Sequence, residues 1–299
     1  PKRRIVLATN VAETSLTVPR IHAVVDPGFA RVKRYSPRQK LDRLHIEPIS
    51  QASADQRKGR CGRIAPGTCY RLYSEAEFQA RPEYTDPEIR RAALAGVILR
   101  MLSLGLGRIE DFPFLELPDP RAIADGWQHL FELGAVEEGD KGVRKLTAIG
   151  RTMARLPVDV KLARMLVAAH DRGCLREMLA IASFLGIQDP RERPADQRGA
   201  ADAAHAQFAD PKSEFVGILK LWDAYRTAHE DLTQSKLRQW AEKHFLGFLR
   251  LREWRELHRQ LKLLCDELGW KQNDAEAPYA ELHRALLTGL PTQVGNRAD

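Results

Sequence analysis

Residues 21–28 read Ile-His-Ala-Val-Val-Asp-Pro-Gly, an apolar run closed by a turn signal. This predicts a short buried strand whose carboxyl end stops in a tight turn. Upstream, Ile5-Val6-Leu7-Ala8 is a second apolar run, ending in Thr9-Asn10 and continuing into Val-Ala-Glu-Thr-Ser. It predicts a parallel strand followed by a segment that Thr14 or Ser15 caps. Polar residues just beyond strand carboxyl ends form the ligand site in open α/β sheets. Thr9, Asn10, Thr14, Ser15 and Thr17 are therefore expected at a working edge. With no helix or strand expected before Ile5, the sheet is expected to be open on that side.

From Ala30 to Pro48 apolar and basic residues alternate about Ser36-Pro37-Arg38. The pattern predicts a β-hairpin over 31–47 with a basic face made by Arg31, Lys33, Arg34, Lys40 and Arg43 and with Arg38 at its turn. A short helix is expected over 53–60 and a strand about 69–73. Within that stretch, residues 56–63 read Gln-Arg-Lys-Gly-Arg-Cys-Gly-Arg. Arg60 and Arg63 suit a phosphate that is gaining charge, because a guanidinium offers two parallel charge-assisted hydrogen bonds. Gln56 suits a water held for attack on phosphorus. Gly59 and Gly62 leave room for close backbone approach. A solvated basic turn is the alternative for the octet taken alone.

The charge distribution weighs against that alternative. Residues 1–63 hold 14 Lys/Arg against 5 Asp/Glu, while the rest of the chain is slightly acidic. A surplus confined to one end points to a polyanion partner there, nucleic acid or nucleotide phosphate. No apolar run approaches the roughly 18 residues of a membrane span. The four cysteines, Cys61, Cys69, Cys174 and Cys265, show no zinc spacing and read as buried or incidental thiols of a reducing compartment.

After Pro87 the pattern turns helical. Ile89, Leu94, Val97, Ile98, Met101 and Leu102 predict one helix face, ended at Gly105 or Gly107. A second helix over 122–133 and a small hairpin from Ala135 to Leu146 suggest a winged helix. Residues 148–270 read as almost wholly helical, with one long helix from about Lys236 to Leu268 directing Leu246, Leu249, Trp254, Leu257, Leu261 and Leu264 to a core.

Three blocks carry a family resemblance: residues 8–17 (ATNVAETSLT), residues 25–29 (VDPGF) and the octet 56–63. In order and spacing they resemble motifs V and VI of the DEAH-box helicases. Pro87-Glu88-Ile89-Arg90-Arg91, Leu146-Thr147 with Gly150-Arg151 and Met153, and Gln188 to Pro194 extend the similarity. The stretch from Phe245 to Gly269 is most similar to the bacterial HrpA-type branch. The resemblance implies an α/β fold followed by a mostly α region. In order these are the C-terminal half of a second RecA-like domain over 1–85, with a partial parallel sheet and hairpin, and a winged helix over 86–150. A ratchet-like helical bundle over 151–272 and the start of a further domain over 273–299 follow.

It also implies roles. Gln56 would place the attacking water, and Arg60 and Arg63 would reach the β- and γ-phosphates of ATP. Ser15, Thr17 and Gly59 would lie at the nucleotide. Thr9, Asn10 and Thr14 would meet the RNA backbone, and the hairpin would act as a wedge. The implied activity is ATP-driven 3′–5′ movement on single-stranded RNA in the cytoplasm, with the ribosome a possible partner and no membrane. Two positions depart from the family. Pro19 stands where many members hold an acidic residue for the ribose, and Cys61 stands for an alanine beside two guanidiniums, where a thiol could be reactive. These 299 residues contain no GxxxxGK[ST] and no Asp-Glu-Ala-His. Mg²⁺ and the other side of the phosphate clamp would belong to a first RecA-like domain, and the chain by itself is expected not to hydrolyse ATP. A non-enzymatic RNA-binding or ribosome-associated module is the alternative. A DNA-binding regulator fits less well, since 121–134 has too little basic character for a recognition helix.

Overall fold

A computed structural model describes residues 4–36, 41–63, 65–139 and 142–295. The chain divides into two compact units, one of residues 1–94 with 109–126, the other of residues 95–108 with 127–299.

The first unit is mixed α/β. After a short helix α1 (Val11–Thr14) come β1 (Ala23–Asp26), the hairpin strands β2 (Phe29–Ser36) and β3 (Leu41–Pro48), and helix α2 (Gln51–Lys58). Strand β4 (Thr68–Arg71) and helix α3 (Glu75–Gln79) follow. β1 and β4 pair in parallel, with Asp26 opposite Arg71. The hairpin is antiparallel, pairing Phe29 with Pro48 and Lys33 with Leu44. Ser50 caps α2 by accepting the Ser53 N–H, and Ser74 with Glu77 forms a reciprocal capping box on α3.

Several expectations change here. Residues 5–8 do not form a strand: Ile5 is 81% and Leu7 95% exposed. A strand needs a neighbour to satisfy its backbone, and among the described residues none pairs with this run. Thr14 and Ser15 end the first helix instead of capping one, since α1 starts behind Asn10. The hairpin is longer than 31–47 and its cations do not share a face. Arg31 and Lys33 alternate with Arg34, which turns to Glu47 and Asp86. The outward face of the hairpin is mixed, for Leu44 and Ile46 lie opposite Lys33 and Arg31 and are exposed. Arg38 and Lys40 lie outside the described residues.

The second unit is almost wholly helical apart from one small hairpin. Helix α4 (Ala95–Ser103) and helix α5 (Pro120–Glu132), within which the two units divide, precede β5 (Val136–Glu138) and β6 (Arg144–Leu146). β5 and β6 pair antiparallel, completing a winged helix. Ile89 is not on α4; residues 88–90 form a separate 3-10 turn. Thr147 caps α6 (Ala148–Met153) and also donates to the Gly134 carbonyl, which holds the wing to the helix after it.

The bundle follows as α7 (Val160–Asp171), α8 (Leu175–Leu185), α9 (Arg198–Ala206), α10 (Glu214–Asp231), α11 (Gln234–Lys243), α12 (Phe248–Glu267) and α13 (Tyr279–Thr288). α8 is buried along nearly its whole length and packs against α7, α10 and α12. Trp254 of α12 is fully buried, and its indole N–H donates to the Ala180 carbonyl of α8 at 2.9 Å. This agrees with the rule that a buried Trp finds a partner. The long helix expected over 236–268 is two helices. Phe245 takes a positive φ of 54°, and Leu246 leaves the helix to bridge Arg191. The Glu192 N–H donates to Phe245 and the Gly247 N–H to Pro190, so the 190–192 segment occupies the backbone groups a continuous helix would use. Leu251 rather than Leu249 is therefore buried, Leu249 being 66% exposed. Within the segment after 272, α13 packs on α7 through Leu282, Ala285 and Leu286.

Glu177, buried at the start of α8, accepts from Arg176, from Asn273 and from the Ala277 N–H. Burial opposes its charge, but these hydrogen bonds outweigh burial and hold its carboxyl below the usual range. The loop between α12 and α13 is thus tied to α8.

Gly150 is where the winged-helix backbone comes closest. A Cβ there would stand 1.9 Å from the Ala135 carbonyl oxygen, whereas at Gly199 in α9 it would meet nothing within 4 Å. Gly150→Ala is expected to lower stability by about 1–3 kcal/mol, as overpacking does, and Gly199→Ala to leave it unchanged or raise it. Urea unfolding of the two variants against wild type measures both.

Candidate nucleotide and nucleic-acid site

The site is built around a buried carboxylate. Asp26, 1% exposed, ends β1. One oxygen accepts from the Gly28 N–H at 2.9 Å and from Arg57 Nη1 at 2.8 Å; the other accepts from the Tyr73 hydroxyl at 2.9 Å. Arg57 also donates to Glu13 at 3.0 Å and to the Phe29 carbonyl at 3.1 Å. Burial opposes the Arg57 charge, but the Asp26 and Glu13 carboxylates outweigh it and raise its affinity for the proton. Burial first, then the hydrogen bond to Asp26, pushes Tyr73 up to about 12. Gly28 is required here: its φ is +78°, and a Cβ would stand 2.6 Å from both Tyr73 and Arg81.

This network ties down the last turn of α2 through Arg57. Gln56 is exposed one turn before Arg60, and the helix closes at Gly59. Arg60 lines a cavity of about 240 Å³ together with Thr9, Glu13, Asp26 and Arg57, and its Nε is buried without a hydrogen-bond partner. Arg63 is exposed, with Nη1 3.5 Å from the Thr17 hydroxyl. The Thr14 and Ser15 hydroxyls lie 3.4 Å apart. Thr9, Asn10, Thr14, Ser15 and Thr17 are all exposed. The fold thus brings Arg60 to Thr9 and Arg63 to Thr17 across more than forty residues of sequence.

Other candidates are placed differently. Arg34 is held by Glu47 through two hydrogen bonds, which with Asp86 keep its proton bound more tightly than usual, so it is not free for phosphate. Arg31 is exposed and has no ion pair among the described residues; Lys33 is exposed on the same face. Cys61 is 2% exposed and its thiol donates to the Lys58 carbonyl, so access alone argues against a reactive role. Gly62 has nothing within 4 Å of a would-be Cβ, while at Gly67 it would stand 2.1 Å from the Cys61 carbonyl oxygen. Gly67 is the glycine that lets the chain return beneath the octet. Arg20, two residues before His22, takes φ +62°, uncommon without glycine.

Arg57 is the residue that sequence reasoning passed over. It sits inside the octet, beside Gln56, and its spacing from Asp26 carried no signal. The block 25–29, used only as a marker of resemblance, contained its partner.

Comparison with known proteins follows the same division. The winged-helix part of the helicase associated domain (HA2) matches residues 126–158, and the ratchet-like part of HA2 matches residues 159–245. The chain is 53% identical over 294 residues to the ATP-dependent RNA helicase HrpA of Escherichia coli, covering 98% of this chain and 23% of that protein. It is 52% identical over 297 residues to the ATP-dependent RNA helicase HrpA homolog of Haemophilus influenzae, again 98% of this chain and 23% of the relative. Similarity reaches the probable ATP-dependent RNA helicase DHX35 of Pongo abelii, 33% identical over 288 residues and 39% of its length. The chain therefore spans about a quarter of the HrpA relatives that it matches.

Removing Asp26 strips the largely buried Arg57 guanidinium of one of its two carboxylates and leaves the Tyr73 hydroxyl without its acceptor. Asp26→Ala is expected to cost about 3–5 kcal/mol, the range for broken buried pairs, read from the urea midpoint. The raised Tyr73 pKa has its own consequence. A hydroxyl held neutral in the folded chain contributes stability that is complete below about 10 and is lost as pH rises through its folded value of about 12. Tyr73→Phe should accordingly flatten the alkaline loss of stability above pH ~10, measured by urea midpoints across that range.

Proposed function

We propose that this chain, which carries the HA2 winged-helix and ratchet-like segment of the HrpA-type ATP-dependent RNA helicases, supplies the arginine side of an ATP-hydrolysing cleft and part of its RNA path. The observation that carries this is the state of the arginines in the octet. Arg57 is consumed by Asp26 and Glu13, whereas Arg60 keeps a buried, unpartnered Nε at a cavity and Arg63 stands exposed beside Thr17. Two guanidiniums left without carboxylates, near the threonines at 9 and 17, suit the β- and γ-phosphates of ATP.

In this reading Gln56 orients the attacking water and Ser15, Thr17 and Gly59 border the nucleotide. Residues 1–85 act as the C-terminal half of a second RecA-like domain, 86–150 as the winged helix and 151–272 as the ratchet-like bundle. Among the described residues no group of three His, Cys, Asp or Glu is placed to hold a metal. Mg²⁺ and the opposing phosphate contacts would come from a first RecA-like domain, and the chain alone would not turn over ATP. Thr9, Asn10, Thr14, Arg31 and Lys33 would touch RNA phosphates, with Arg34 bracing the hairpin. Movement would run 3′–5′ on single-stranded RNA, in the cytoplasm, with the ribosome as one possible setting. No helix among the described residues is long and apolar enough to cross a membrane.

Arg60→Ala and Arg63→Ala in the full-length parent are each expected to lower RNA-stimulated ATP hydrolysis by about 10³-fold or more, as for arginine fingers. RNA affinity should change little. Turnover at the wild-type rate, with RNA affinity and its salt slope reduced instead, would identify these residues as phosphate grips of a binding module.

A further inference from the structure

Residues 9–17 hold Thr9, Asn10, Thr14, Ser15 and Thr17, yet nothing apolar anchors the helix among them. No residue of α1 is buried, and Val11 is 48% exposed. A single-turn helix has little stability of its own. Polar ties must therefore hold it in place. Among the described residues the segment 9–17 makes one ion pair, from Glu13 to Arg57 at 3.0 Å. Thr17 adds only its 3.5 Å contact with Arg63.

Glu13 also stands between two cavities. One, of about 240 Å³, is lined by Thr9 and by Arg60, whose Nε lacks a partner. The other, of about 640 Å³, is bordered by the hairpin and lined by Asn10, Arg31 and Lys33. Glu13 is the residue that lines both. A carboxylate repels phosphate from either side, so it does not suit either ligand directly. Its use lies in what it holds.

Charge balance at Arg57 does not require Glu13. Asp26, fully buried, already faces this guanidinium at 2.8 Å, and the Phe29 carbonyl accepts from the same nitrogen at 3.1 Å. The second carboxylate is thus a tie more than a counter-charge. It comes from the segment with Asn10 and Thr14 on the hairpin side. The guanidinium that it grips lies in the last turn of α2, next to Gln56 and three residues before Arg60.

We propose that Glu13 is a positioning residue through which RNA on the hairpin side governs turnover on the Arg60 side. RNA phosphates on Asn10 and Thr14 fix α1. Through Glu13, α1 then fixes Arg57 and the turn that leads from Gln56 into Arg60. Without RNA few ties hold the segment, and the groups that face ATP are less well placed. Positioning supplies much of the catalysis in phosphoryl transfer, so loosening that turn slows hydrolysis. The proposal rests on the helicase reading and adds to it a residue that touches neither substrate.

The test compares Glu13→Ala and Glu13→Gln with wild type in the full-length parent, with Arg60→Ala alongside. At saturating RNA, Glu13→Ala should lower kcat by about tenfold, the scale of a lost charge-assisted hydrogen bond. KM for ATP and Kd for RNA should stay within about threefold of wild type, since no substrate contact is removed. Glu13→Gln keeps an acceptor for Arg57 and should recover part of the lost rate. A residue that only steadies the fold would raise the Kd for RNA and regain wild-type kcat once RNA saturates. That pattern overturns the proposal. So does wild-type kcat at every RNA concentration in Glu13→Ala while Arg60→Ala is inactive, an outcome that leaves the helicase reading standing. Wild-type turnover in Arg60→Ala overturns the helicase reading itself.

Discussion

Burial of the Asp26 carboxylate under the Arg57 guanidinium is the constraint from which the first unit takes its arrangement. Isolated in an apolar site that carboxylate would be costly. It persists because four chain segments converge to satisfy it: the turn at Gly28, the end of α2, Tyr73 after β4 and, through Arg57, Glu13 of α1. A sheet of two parallel strands has little apolar area with which to fix those segments, and Val25, Tyr70 and Leu72 around β1 and β4 are exposed. Polar convergence replaces packing there. Arg81 extends the same device, stacking on Tyr73 at 4.0 Å while donating to the Gly28 and Ile49 carbonyls.

The second unit is held by the opposite means. α8 is buried on nearly all sides, and its Phe184 joins Trp254, Trp222 and Tyr225 in a cluster with ring centroids 4.9 to 6.5 Å apart. Such a core depends on area and shape and needs few specific partners. Its polar ties lie at helix ends, where Glu177 gathers the 273–277 loop and Arg191, bound to Asp189 and Glu214, gathers the segment that interrupts α11 and α12.

That contrast explains what could be read from the residues alone. The winged hairpin, the helices of the bundle and the hairpin of the first unit follow from periodicity, which is local and repeated. The break at Phe245 does not, because the helix pattern continues through it and the cause is a segment more than fifty residues away. The run at Ile5–Ala8 has the composition of a buried strand, but composition cannot supply the neighbouring strand that would bury it. Gly67 carries the close approach that the octet's own glycines suggested, since only the fold brings the Cys61 carbonyl over it. The octet was legible as a run of guanidiniums; which of them the fold pairs with carboxylates was not, because Arg57 resembles its neighbours in sequence.

Basic residues in this chain therefore divide by what the fold has already spent. Arg34, Arg57, Arg71 and Arg191 each face a carboxylate within 2.9 Å or less, and their charge is used to hold the chain together. Arg60 and Arg63 have no carboxylate within ion-pair distance among the described residues. Net charge counts both sets alike and so says only that a polyanion is welcome somewhere. A guanidinium left without a carboxylate in a fold that pairs so many others keeps its full charge for a ligand. In the first unit the unspent pair lies beside threonine hydroxyls and suits a compact triphosphate.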